Sequence, residues 1–166
     1  GVGIDNVDFG AFEKYGIPIE NTPGVFGREV ADLACHYVSA LARQTYDIDR
    51  EVRKGLWHKP VGTSLWSQTA LIIGTGDVGR NVAKRLEAHD MKCVFYDPFV
   101  SEPTLFGASK VDYEAGLSNS DFLIYTAPVN ETTYHIFNTK SLKLVKSGVK
   151  IVNVGRGQLI ETKALT

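Results

Sequence analysis

Cysteine is scarce in this chain. Cys35 and Cys93 are the only two, too few for a disulfide framework, and no Cys/His cluster has metal-ligand spacing. They read as buried free thiols in a reducing compartment. There is no run of 18 or more apolar residues and no signal-peptide pattern, which argues against a membrane-spanning helix. There is no block of one charge either. Lys and Arg total 18 against 19 Asp and Glu, for a net charge of −1, so the electrostatic footprint of a nucleic-acid or anionic-membrane partner is missing. No internal repeat is visible. These absences leave a cytoplasmic globular protein as the default reading, and 166 residues suffice for one good core with a small appendage. The chain opens at Gly1 inside an apparent strand and stops at Thr166 in what reads as the start of a helix, so it is expected to be part of a longer protein.

What is present is concentrated in one stretch. An apolar run from Thr69 feeds Gly74-Thr75-Gly76-Asp77-Val78-Gly79, and Asp97 follows 18 residues beyond Gly79. The glycine-rich turn is expected to open a helix from Asp77 to about Ala88, followed by a strand over Lys92–Tyr96 that ends in the acid. Each part has a physical task in holding a dinucleotide. Gly74 permits the tight turn, Gly76 lets the backbone approach a pyrophosphate, and Gly79 lets helix and strand pack closely. The pyrophosphate sits on the unpaired amides and positive dipole end of the helix. Asp97 accepts from the adenosine ribose hydroxyls. Pro98, Phe99 and Val100 supply no cation for a 2′-phosphate, so NAD is expected over NADP.

The remaining pattern alternates. Residues 28–43 place Val30, Leu33, Ala34, Tyr37, Val38 and Leu41 on one helical face, expected to be buried. Short strands are expected at Gly1–Ile4 and Ile17–Asn21. A loop-rich stretch to Ser67 carries Trp57 and Trp66, read as packed apolar anchors. After Asp97 come a loop over 98–110, a short strand at Val111–Tyr113, a helical turn over Tyr113–Asn119, and an apolar strand over Asp121–Thr126. A helix over Thr139–Lys146 and a strand over Lys150–Val154 complete the pattern. Continuous apolar strands alternating with helices mean an α/β, Rossmann-type doubly wound parallel sheet. Ligands in such folds bind beyond the carboxyl ends of the strands, here Gly74–Gly79, Asp97, Thr126–Pro128 and Val154–Gly157. Arg156, between Gly155 and Gly157, lies at one such end. Its planar fork suits a carboxylate, but spacing alone leaves open a plain surface arginine in a turn.

Five stretches together resemble the nucleotide-binding part of the D-isomer-specific 2-hydroxyacid dehydrogenase family. They are residues 1–8, residues 21–24 with Val30-Ala31-Asp32, residues 52–57, Gly74–Gly79 with Tyr96-Asp97-Pro98, and Asn153-Val154-Gly155-Arg156-Gly157. The resemblance implies that residues 1–24 are the tail of a flavodoxin-like substrate domain with its hinge, and that 25–166 are the NAD domain. It implies that Arg156 is the catalytic arginine, binding the substrate's carboxylate and carbonyl, and that the amides of Val2 and Gly3 touch the same carboxylate. Asp77, Val78, Asp97, Val154 and Gly155 match cofactor-contacting positions, and Thr126 and Pro128 match the segment passing the nicotinamide-side ribose. The implied partners are a 2-hydroxy or 2-oxo acid and a second copy, in a homodimer through the NAD domain. The family's acid/base His and its carboxylate are expected beyond Arg156. None of His36, His58, His89 or His135 fits, so these 166 residues alone are expected to bind NAD without turnover. Asp77, Phe26, Asp32 and Gly155 depart from the usual family residues, with Asp77 threatening to repel a diphosphate and Gly155 to loosen the Arg156 loop. The rival readings are an NAD-sensing module resembling corepressors of the C-terminal-binding-protein type, a non-catalytic homologue, and another NAD-domain enzyme of adenosylhomocysteinase-like architecture.

Overall fold

Apolar runs that cannot face water on either side collect in the middle of a single sheet. The computed structural model describes residues 1–166. Its elements are α1 (Phe9–Lys14), α2 (Gly27–Arg43), α3 (Thr45–Val52), β1 (Thr69–Ile73), α4 (Asp77–Glu87), β2 (Lys92–Tyr96), β3 (Thr104–Leu105), β4 (Ala108–Lys110), α5 (Tyr113–Asn119), β5 (Phe122–Tyr125), α6 (Thr139–Leu142) and β6 (Lys150–Asn153). The strand order is β3-β4-β2-β1-β5-β6, parallel throughout except for the edge pair β3 and β4.

Side chains alternate across the sheet with period two and make two cores. Ala70, Ile72, Phe95 and Ile124 face α2 and α4, whose Ala31, Ala34, Val38, Val82 and Leu86 complete that layer. Leu71, Ile73, Leu123 and Tyr125 face the other way, onto Leu117, Phe137 and Leu159. Both faces are covered, as the doubly wound reading requires. Cys35 and Cys93 are buried and unbonded, and burial pushes their thiols up to about 11 and about 12.

Several expectations are corrected. Of the α2 face expected to be buried, Ala34 and Val38 are buried, and the stripe is completed by Ala31, Cys35 and Ala42 rather than by the bulkier residues. Leu33 and Leu41 remain 46% and 37% exposed, and Val30 and Tyr37 are half-buried. Small residues win because α2 lies against α4, and alanines allow the two backbones to approach. Asp32 accepts from Arg85 Nε at 2.6 Å, tying the same two helices at their rim. Trp57 and Trp66 anchor nothing; they are 83% and 68% exposed. Gly1–Ile4 and Ile17–Asn21 are not strands. They lie side by side with one backbone bond, Thr22 N to Gly1 O at 3.1 Å, and one from Asn21 Nδ2 to Val2 O at 2.9 Å, too few rungs for a ladder. The expected loop over 98–110 contains the β3–β4 hairpin. Its turn residues Phe106 and Gly107 both have positive φ (50° and 78°), matching the right-handed twist of the strands. The strand expected at Val111–Tyr113 is therefore β4, three residues earlier. The last helix stops at Leu142, capped at its start by Asn138.

A candidate cofactor cleft and its neighbouring arginine

Register places the site. Ile73 stands beside Tyr96 on one side and Tyr125 on the other, and Tyr125 stands beside Asn153. The next residue on each strand is Gly74, Asp97, Thr126 and Val154. The four carboxyl ends therefore finish in line, at the point where the strand order reverses between β1 and β5. A cleft of about 640 Å³ lies there, lined among others by Gly74, Thr75, Gly76, Asp97, Thr126 and Pro128.

The three glycines have different physical reasons. Gly74 has φ +92°, and a Cβ there would meet Ala127 Cα at 2.8 Å. Gly79 lies under the turn; a Cβ would come within 2.1 Å of Gly74 O and 3.0 Å of Thr126 Oγ1. Gly76 has an extended backbone with φ −62°, and a Cβ there would meet nothing within 4 Å. Nothing in the fold itself requires a glycine at 76. Beside it α4 begins with no side-chain cap, and the amides of Asp77, Val78 and Gly79 find no acceptor in the protein. A bare turn, unpaired amides and a helix dipole together fit a diphosphate.

Asp97 lines the same cleft. Its Oδ2 accepts from Thr75 N at 2.9 Å and Thr75 Oγ1 at 2.8 Å, and its Oδ1 from Phe99 N at 3.0 Å. Partial burial pushes its carboxyl upward, but the bonds from Thr75 and Phe99 and the charge of Lys110 outweigh it, leaving the group below its ordinary range and ionised. Three of about four acceptor positions are filled, which leaves one on Oδ1 for a further donor. Thr75 was missed by sequence reasoning: between two glycines, no spacing marks it as the partner of an acid 22 residues on.

Asp77 is in the turn, but its side chain does not line the cleft. Its carboxylate accepts from Arg80 at 2.6 Å and packs against Gly27 at the start of α2. The charge expected to repel a diphosphate is turned away and paired, while the Asp77 amide stays available. Val78 packs its side chain into the α2–α4 core. Thr126 Oγ1 donates to Ile73 O and Gly74 O at 3.0 and 2.7 Å, tying β5 to the glycine turn.

The loop after β6 is held rather than loose. Asn153 Oδ1 accepts from Gly155 N at 3.0 Å, and Asn153 Nδ2 donates to Arg156 O at 2.8 Å. Gly155 is required by space, since a Cβ would meet Leu159 Cδ1 at 2.7 Å and Ala127 O at 2.8 Å. Arg156 then reaches the amino-terminal segment. Its Nε and Nη2 donate to Asp5 at 2.9–3.1 Å, and its Nη2 lies where a Gly3 Cβ would be, 1.8 Å from that position. Arg156 thus stands against the Gly3 backbone, with Val2 beside it and 44% exposed. Of the histidines, His36 bonds Tyr46 at 2.9 Å on the surface, and His135 stacks on Tyr134 with ring centroids 4.0 Å apart, outside the cleft.

A glycine turn, an uncapped helix and an ionised acid at the switch point define a dinucleotide-binding α/β domain. Residues 35–166 match the family described as D-isomer specific 2-hydroxyacid dehydrogenase, NAD binding domain, and the chain belongs to that family, with NAD as its cofactor. It is 38% identical to a hydroxypyruvate reductase of Thermotoga maritima over 99% of this chain and 54% of that protein. It is 37% identical to a glyoxylate reductase of Thermococcus litoralis over 99% and 53%. Among solved structures, a glyoxylate reductase from Paecilomyes thermophila superposes with a TM-score of 0.91 at 36% identity, over 99% of this chain and 51% of that one. The chain spans about half the length of the curated relatives it matches.

Proposed function

We propose that this chain is the NAD-binding portion of an oxidoreductase acting between NAD(H) and a D-2-hydroxy or 2-oxo acid. When bound, the nicotinamide exchanges a hydride with the 2-carbon of the acid. The chain's own residues bind and orient. Gly74, Gly76 and the amides of Asp77, Val78 and Gly79 cradle the diphosphate. Asp97 takes the adenosine ribose and disfavours a 2′-phosphate. Thr126, Pro128, Val154 and Gly155 border the nicotinamide side. Arg156 pairs with the substrate carboxylate and polarises its carbonyl, helped by the amides of Val2 and Gly3. The single observation that carries this reading is the meeting of Arg156 with the Gly3 backbone beyond the carboxyl end of β6, across 153 residues of sequence.

Residues 1–24 form the tail of a substrate domain on this reading. Support comes from their burial: none of the first 26 residues is buried, so they contribute nothing to the sheet's core. The protein is cytoplasmic and homodimeric through the NAD domain. Leu33, Leu41, Tyr46, Leu56, Trp57 and Trp66 leave apolar surface on α2, α3 and the following loop, which a second copy would cover. The test is reduction of glyoxylate and hydroxypyruvate with NADH by the full-length protein and its Arg156→Gln variant. The expected result is turnover by the parent, and a loss of kcat/KM of about a hundredfold or more in the variant. Equal turnover by both would remove Arg156 from the site.

A further inference from the structure

Asp5 is the one anion against Arg156, and the way it binds is selective. A guanidinium has five N–H donors. Nε donates to both Asp5 oxygens at 3.1 Å, one Nη2 hydrogen goes to Asp5 Oδ1 at 2.9 Å, and one Nη1 hydrogen goes to Gly155 O at 3.2 Å. Two donors remain, one on Nη1 and one on Nη2. The Nε–Nη2 edge of the fork is taken by Asp5, and Nη1 and Nη2 each keep one hydrogen unused. The arginine's backbone is fixed separately through Asn153 Nδ2 on Arg156 O. The loop therefore sets where Arg156 starts, and Asp5 sets where its head points.

We infer that Asp5 is a positioning residue for Arg156, gripping the Nε–Nη2 edge of the guanidinium so that the Nη1–Nη2 end is presented to the substrate carboxylate. The inference rests on the proposed role of Arg156 in binding the substrate. A free arginine head has several rotamers to lose on binding a carboxylate, and a head already held on one edge loses fewer. Asp5 and Arg156 are each about two-fifths exposed, so the pair is reachable by a substrate and is not a sealed core bridge. Gly3 belongs to the same device, because any side chain there would occupy the space of Nη2.

Two measurements test it. In this chain, the Arg156 Nε–H proton resonance, assigned by its loss in Arg156→Lys, should be protected from solvent exchange, and Asp5→Ala should abolish that protection. In the full-length protein, with glyoxylate as the probe, Asp5→Ala should raise KM about tenfold or more while NADH affinity stays within about twofold. Asp5→Asn keeps an oxygen on the guanidinium edge and should recover most of the KM loss. An unchanged KM in Asp5→Ala, an Asp5→Asn as impaired as the alanine variant, or a parallel loss of NADH binding would each overturn the inference. Arg156→Gln separates the two layers. If it leaves glyoxylate kinetics untouched, the reading of the substrate site fails, while the exchange measurement still reports whether Asp5 grips.

Discussion

Gly76→Ala and Gly79→Ala, three residues apart in one turn, should fail in opposite ways. At position 79 the new methyl would lie 2.1 Å from Gly74 O. Relief requires α4 to move off β1 by about 1 Å, an overpacking strain of about 1–3 kcal/mol. The shift also strains the bond from Thr126 Oγ1 to Gly74 O, 2.7 Å long, worth about 0.5–1.5 kcal/mol. Together these cost about 1.5–4.5 kcal/mol, and at about 2–4 °C per kcal/mol for a domain of this size Tm should fall by about 3–18 °C. At position 76 the methyl meets nothing within 4 Å. The stiffer unfolded chain stabilises by about 0.4–1 kcal/mol, and the loss of glycine at an N-cap offsets a similar amount. Stability should therefore change by less than about 1 kcal/mol. The methyl does, however, fill the place where a diphosphate would approach the backbone, so NADH affinity should drop at least about tenfold. The assay is thermal unfolding by circular dichroism beside calorimetric titration with NADH. A Gly76→Ala protein that binds NADH like the parent, or that melts as early as Gly79→Ala, would refute the reasoning.

Other outcomes follow from the same contacts. Asp97 has a folded pKa below its ordinary value, so its contribution to stability is fully present above the unfolded pKa of about 3.9 and fades only as pH falls through the lower folded value. The parent should therefore lose more stability than Asp97→Asn on going from pH 6 to pH 3, measured by urea unfolding at each pH. Thr75→Val removes one donor to Asp97, 2.8 Å away, and should weaken NADH binding by about three- to tenfold, read by titration, with the fold intact. Burial holds Cys35 up to about 11 and Cys93 up to about 12, so neither should react with a thiol reagent at pH 8 until the chain is unfolded in guanidinium. The 166 residues alone should bind NADH yet show no reduction of glyoxylate above background in a 340 nm assay.

The strands were legible because they are buried on both faces. Lys92–Tyr96 and Phe122–Tyr125 are near-continuous apolar runs, and a run of that kind has few places to go but the middle of a parallel sheet. The cleft was legible for a related reason: β-strands that finish in register bring their following residues together, so Gly74, Asp97, Thr126 and Val154 could be grouped without knowing any distance. The hairpin at 104–110 was not legible, because strands of two and three residues carry no period. The face of α2 is only partly legible: Ala34 and Val38 are buried as expected, but apolar spacing does not say which of two overlapping stripes packs, and close approach to α4 selects alanines over Leu33 and Leu41. Trp57 and Trp66 read as packed apolar anchors, yet their irregular segment leaves them at the surface. The pairing of Asp5 with Arg156, 151 residues apart, depends on how the amino-terminal segment lies against the loop after β6, which no local pattern encodes.

The most direct test is calorimetric titration of this chain with NADH and with NADPH, repeated on Asp97→Ala. The account predicts NADH binding at one site, NADPH at least about tenfold weaker because its 2′-phosphate meets an ionised Asp97, and loss of most NADH affinity and of the discrimination in the variant. No binding of either nucleotide, or equal binding of both, would contradict it.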